Sequence, residues 1–218
     1  MASMNYIQLV NDVLVRLREP EASSVSDTAY VKLIAKFVND SKRVVEDAYN
    51  WNSLTETLSA VTAQDVFNYV LVGSGQRFRV IDIINDTTNT FVNLAATKWM
   101  DQQFLMTTPQ KGSPQYYNFN GTDANGDTQV DLYPIPDGVY NIRFNIIKPQ
   151  EPLVVNADIL LVPPEPVILG ALARAQAERG EDGGVQAGET YQLMRQSLAD
   201  AIALESGRYL EEQEWLAI

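Results

Sequence analysis

Four stretches of this sequence carry residues whose types and spacing could do chemistry. Asp123-Ala-Asn-Gly-Asp127 sets oxygen ligands at alternate positions, as the start of a calcium loop does. Such a loop needs glycine at its sixth position and a bidentate Glu at its twelfth, whereas counting from Asp123 these are Thr128 and Pro134. A tight hairpin turn is expected instead. Gly73-Ser-Gly-Gln-Arg-Phe-Arg79 offers the glycines and cations of a phosphate cradle. It has no third glycine and no Gly-Lys-Ser/Thr ending, and it lies between strand-like segments, so it reads as a glycine hairpin with Arg77 and Arg79 on a solvent or subunit surface. Glycoside hydrolysis needs only two opposed carboxyl groups, and Glu56, Asp65, Asp82, Asp101, Asp123 and Asp131 are available. No spacing forces two of them into one cleft. A carbohydrate-binding or carboxylate-dependent glycoside hydrolase module therefore stands as the alternative function, with Asp123 and Asp131 as the pair to test. Tyr116, Tyr117 and Phe119 could stack on sugars or bases, but strand alternation turns Tyr117 and Phe119 inward and Tyr116 outward.

What is missing narrows the chemistry further. With no histidine the chain lacks the usual neutral-pH general base, and with no cysteine it has no disulfide, thiolate nucleophile or cysteine-held zinc. No catalytic, cofactor or metal residue is assigned. A net charge of -12 argues against a nucleic-acid-binding module, because phosphate affinity comes from clustered Lys and Arg; it suits a wall past which DNA must slide. The opening MASMNYIQLVNDVLVRLREP is interrupted by Asn5, Gln8, Asn11 and Asp12, and no apolar run reaches the length of a membrane span, so a cytosolic product is expected.

These candidates hang on a plain element pattern. Tyr6, Leu9, Val10, Val13, Leu14 and Leu17 recur at three- and four-residue steps, predicting a helix that ends before Pro20. A second, longer helix is predicted from an N-cap at Asp27 to about Trp51. From Leu54 the period becomes alternating, with strands around Leu54–Leu58, Phe67–Leu71, Phe78–Ile84, Tyr116–Phe119, Gln129–Tyr133 and Val139–Ile147, and a short helix at ATKWMDQQFLM. Gly73-Ser74-Gly75, Asn85-Asp86 and the YPIPDGVY run are read as hairpin turns. After Pro163-Pro164-Glu165-Pro166 a helix runs to Gly180, its Gly170, Ala171, Ala173, Ala175 and Ala177 letting a neighbour approach closely. A last helix carries Tyr191, Met194, Leu198, Ala201 and Ile202 on one face up to about Gly207.

The expected fold class is α+β: a four-helix bundle built from the N- and C-terminal helix pairs (residues 1–52 and 164–218) with an inserted antiparallel β-sandwich or barrel-like domain (53–163). The ending RYLEEQEWLAI sets Tyr209, Leu210, Trp215, Leu216 and Ile218 beside a cluster of glutamates. Large apolar groups there predict either docking into another subunit or partner, or packing of Trp215 back on the bundle.

NYIQLVNDVLVRLRE, VNDSKRVVEDAYNW, YPIPDGVY and ALARAQAERGEDGG together resemble a bacteriophage head-to-tail adaptor of the tail tubular protein A type, over nearly the whole chain. The resemblance implies a virion structural protein without enzymatic activity or cofactor. It implies a ring of this chain, twelvefold, between the portal protein and the tail nozzle protein, with a channel through which DNA passes non-specifically. It further implies that the helices and C-terminal segment meet portal and neighbours, while the β domain faces outward where tail fibres attach. Another tail-completion protein is the nearest alternative, and a location at the head-tail junction follows from either.

Overall fold

The computed structural model describes residues 3–180 and 184–208. The chain forms two compact units, one from residues 1–54 with 149–218 and one from Thr55–Lys148.

The first unit is helical. α1 (Tyr6–Arg16) starts at a capping box, in which Asn5 accepts from the Gln8 amide and the Gln8 side chain accepts from the Asn5 amide, and it buries Tyr6, Leu9, Val10, Val13 and Leu14. α2 (Ala29–Ala48) is capped by Thr28, whose hydroxyl accepts from the Val31 amide at 3.1 Å. Asp27, expected as the cap, serves the preceding turn instead: one carboxylate oxygen accepts from the Ser23 and Ser24 amides at 2.7 and 2.9 Å. α4 (Pro164–Arg179) begins with prolines, where missing amides cost nothing, and ends at Gly180, whose φ of 62° is the left-handed turn that favours glycine. α5 (Val185–Ser206) follows.

α4 is the centre of this unit. Val167 through Ala173 are buried without interruption, the pattern of a helix covered on all sides, and α1, α2 and α5 each pack on it. The N- and C-terminal helices thus do pack together. α5 buries Met194 and Ala201 and half-buries Leu198 and Ile202, as its expected face requires, together with Ala187 and Thr190; Tyr191 departs from that face and is 50% exposed. The return segment Pro149–Pro163, grouped with the strands in the sequence reading, belongs to the helical unit. Residues 4–6 pair with 158–160 through Tyr6 N–H to Asp158 O (2.8 Å) and Leu160 N–H to Met4 O (3.0 Å). The Tyr6 hydroxyl donates to Ala35 O, and burial pushes its pKa up to about 12.

The second unit holds β1 (Thr55–Val61), β2 (Asn68–Val70), β3 (Arg79–Asn85), β4 (Thr90–Phe91), β5 (Asn93–Leu94), α3 (Thr97–Phe104), β6 (Tyr116–Thr122), β7 (Thr128–Tyr133) and β8 (Asn141–Ile147). They form two four-stranded sheets, ordered β1-β8-β3-β4 and β2-β7-β6-β5. Residues from both, among them Ala60, Ile83, Tyr117, Val130, Leu132 and Phe144, share one apolar core. Pairing between these strands is antiparallel except for the short β5–β6 contact, which is parallel, as is the isolated Lys111–Ile135 bridge, so the expected all-antiparallel domain is corrected there.

Two predicted hairpins are crossovers. β7 pairs with β2 and β6, while β8 pairs with β1 and β3, so YPIPDGVY carries the chain from one sheet to the other. Pro134 and Pro136 cannot donate to a ladder, and pairing stops where they begin. Gly73-Ser74-Gly75 likewise leads from β2 to β3 in the opposite sheet. Asn85-Asp86 does open the β3–β4 hairpin, as expected.

Candidate functional site

The two loops that looked fit for ligands bind each other. Gly73 and Gly75 take φ values of 84° and 61°, which aims both amides at one point. That point holds the Asp127 carboxylate, with Oδ2 accepting from the Gly73 amide and Oδ1 from the Gly75 amide, each at 3.0 Å. These bonds hold its carboxyl below the ordinary Asp range. Ser74, fully buried, completes the clasp by accepting from the Thr128 amide at 3.0 Å. An amide nest that could take a phosphate is thus filled by the chain's own carboxylate.

Asp123 and Asp131 are similarly engaged. Asp123 Oδ1 accepts from the Asn125 and Asp127 amides, both at 2.9 Å, which makes DANGD the hairpin turn between β6 and β7. Asp131, 8% exposed, accepts from Asn68 Nδ2 at 2.6 Å and Asn120 Nδ2 at 2.9 Å. Both carboxylates of the tested pair are thus spent on the fold's own donors. Among the described residues no group of three acidic side chains is placed to hold a metal. Arg77 and Arg79 are exposed, as expected. Tyr117 is buried and Phe119 packs against the core beside it, whereas Tyr116 stands edge-on to Trp99 with ring centroids 4.9 Å apart, which helps seat α3 on the sheet.

The helical unit leaves an apolar groove open. α2 and α5 flank α4, and between them a cavity of ≈ 350 Å³ is lined by Ser41, Val44, Gly170, Ala173, Arg174, Ala177, Ala187, Tyr191 and Met194. Its depth comes from the small residues of α4. A Cβ at Gly170 would stand 3.0 Å from Ser41 Oγ and 3.1 Å from Ser41 Cβ, so α2 crosses α4 in contact with glycine backbone. The close approach predicted from the alanine-rich helix is therefore real, and it is incomplete: Ala177, Val44 and Tyr191 remain exposed along the groove. A second cavity, ≈ 330 Å³, lies where α5 ends, lined among others by Trp51, Leu160, Pro164, Leu204 and Arg208. The proposed docking residues Tyr209, Leu210, Trp215, Leu216 and Ile218 lie outside the described residues.

One polar feature escaped the sequence reading. Lys42 and Glu46, 3% and 1% exposed, form a buried ion pair at 2.9 Å. Lys42 Nζ also donates to Gln150 O at 2.6 Å, and the Gln150 amide donates to Glu46 Oε1 at 3.1 Å. One turn earlier Asn39 makes the same double hook on Leu153, accepting from its amide at 2.8 Å and donating to its carbonyl at 3.0 Å. The signal was present: Lys42 and Glu46 fall in phase with Val38 and Val45 on the apolar stripe, where a solvated pair has no place.

No helix among the described residues is long and apolar enough to cross a membrane. A comparison with curated proteins gives no match. The family model described as SU10 adaptor protein matches residues 4–213, spanning both units and every element above. Matched over nearly its whole length, this chain belongs to the SU10 adaptor protein family, phage adaptors rather than enzymes.

Proposed function

We propose that this chain is the head-to-tail adaptor of a phage virion, assembling as a ring of twelve copies between the portal protein and the tail nozzle protein around a channel for DNA. The carrying observation is the family match across residues 4–213. Three features of the molecule support the finer reading. The helical unit keeps an apolar groove along a helix whose residues Pro166–Ala173 are all buried, which suits a surface completed by another chain. The net charge of -12 keeps free subunits soluble and gives a DNA passage walls without phosphate affinity. The segment holding Tyr209, Leu210, Trp215, Leu216 and Ile218 supplies large apolar anchors for a partner or neighbour. The helical unit is taken to meet portal and neighbours, and the two-sheet unit to face outward toward tail fibres.

Contacts around a closed ring are heterologous, so each subunit needs two different complementary faces. The test is the solution mass of the purified chain, alone and mixed with its portal ring, by light scattering with negative-stain imaging. A ring with a central channel, free or formed on the portal, is expected. A chain that stays monomeric and ignores the portal refutes the reading.

A further inference from the structure

We propose that the groove between α2 and α5 receives the C-terminal segment, residues 209–218, of a second copy of this chain. The inference rests on the ring reading only for its setting; its evidence is the groove and the composition of the segment. The groove floor is Gly170, Ala173 and Ala177, and its walls carry the exposed Val44 and Tyr191, so an apolar side chain laid there meets carbon on three sides. Its one charged lining residue is Arg174, exposed and without an ion pair or hydrogen bond among the described residues. The segment matches both properties. It brings Leu210, Trp215, Leu216 and Ile218, and its only charges are Glu211, Glu212 and Glu214. Apolar anchors with an acidic run suit an apolar trough rimmed by a guanidinium.

The direction of α5 decides between its own groove and a neighbour's. Tyr191 lies roughly 17 residues before Arg208, so α5 carries the chain about 25 Å past the groove before residue 209 begins. Returning would need a reversal at once. Gly207, the residue best able to make one, has φ -69° and ψ -11°, which prolongs the helical course. YLEEQE, which follows, contains no Gly, Pro, Asn, Asp or Ser and consists largely of helix formers. At Arg208 the chain thus stands well past its own groove, which is why the proposal assigns residues 209–218 to the groove of another molecule.

The cysteine-free chain makes the test direct. Full-length Ala177→Cys and full-length Ala217→Cys proteins are mixed and mildly oxidised, with Val139→Cys, exposed on the other unit, replacing Ala177→Cys as the control. The expected result is a mixed disulfide pair at about tenfold or more over the control, the scale that docking gives over random collision. A yield equal to the control overturns the proposal. So does a double variant, Ala177→Cys/Ala217→Cys, that closes its disulfide within one chain at high dilution, because the segment then serves its own groove. In parallel, Ala177→Trp fills the groove at an exposed position and is expected to weaken self-association at least several-fold with helix content unchanged. Rings that still form while the crosslink stays at control level sink the docking and spare the ring. A strong crosslink without any ring, alone or on the portal, does the reverse.

Discussion

Replacing Lys42 by Met is the sharpest test of how the helical unit is held together. The pair it breaks is almost entirely out of water, Lys42 at 3% and Glu46 at 1% exposure, with 2.9 Å between charges. Such a pair adds little over two apolar residues of the same volume, yet removing Lys42 takes from Glu46 its 2.9 Å counter-charge in a medium that solvates a carboxylate poorly. The expected loss for Lys42→Met is about 1.5–3 kcal/mol, the worth of a buried charge-assisted hydrogen bond and a large share of the roughly 5–15 kcal/mol that holds a domain. Part of it comes from Gln150, whose carbonyl loses its 2.6 Å donor. Met keeps the chain length and apolar contacts of the lysine stem, so cavity formation is a minor part of the change.

A further arm separates the loss of a counter-charge from simple misfit. Lys42→Met/Glu46→Leu removes both charges and is expected to be more stable than Lys42→Met alone, although Gln150 then lacks both side-chain partners. The assay is urea unfolding followed by helical circular dichroism, with fluorescence of Trp51, whose indole donates to Val45 O, as the local probe in a Trp99→Phe/Trp215→Phe background. A Lys42→Met loss under about 1 kcal/mol, or a double variant as unstable as the sum of the singles, would refute the reasoning.

Two helical glycines should respond in opposite directions. Gly170→Val drives its side chain into Ser41 and is expected to cost about 1–3 kcal/mol, whereas Gly188→Ala, with no atom within 4 Å of its Cβ, should gain about 0.5–1 kcal/mol in the same thermal melt. Asp27, Asp127 and Asp158 each accept from two backbone amides and have carboxyl pKa values below the ordinary Asp range. Their stabilisation is therefore complete above the unfolded value near 4 and is lost as pH falls through the lowered folded values. Asp127→Ala should remove its share of that acid-dependent loss and speed amide exchange at Gly73 and Gly75, and unchanged exchange there would refute the clasp.

The helices were legible because a single residue's partners in a helix lie three or four positions away, within reach of a pattern. α1, α2, α4 and α5 fall where the apolar period, the prolines before α4 and Gly180 after it put them. Strands were legible as strands, since alternation shows in any half-buried ribbon, but their partners were not. Gly73-Ser74-Gly75 and Asp137-Gly138 have turn chemistry whether the chain doubles back within a sheet or steps to the other one. The two prolines before Asp137 carried the missing information, because a strand that loses its donors at Pro134 and Pro136 cannot extend a ladder into a hairpin. The groove was half legible: small residues on α4 announce close approach, but only the placement of α2 and α5 shows that neither covers Ala177.

The satisfied loops and the open groove together explain why this chain reads as an assembly part. A small-ligand site needs polar groups with unspent hydrogen-bonding capacity in a concave place. Here the amides best arranged for an anion hold Asp127, Asp123 is taken up by its own turn, and Asp131 lies under two amide side chains. What stays unspent is apolar: Phe91, Leu94 and Leu105 on one unit are each at least 65% exposed, and the trough over Gly170 and Ala177 lies on the other. Apolar area of this kind gains free energy only by excluding water over a broad contact, which another protein surface provides and a small polar ligand does not. Substituting the groove should therefore disturb association long before it disturbs folding, whereas substituting Asp127 or Lys42 should do the opposite.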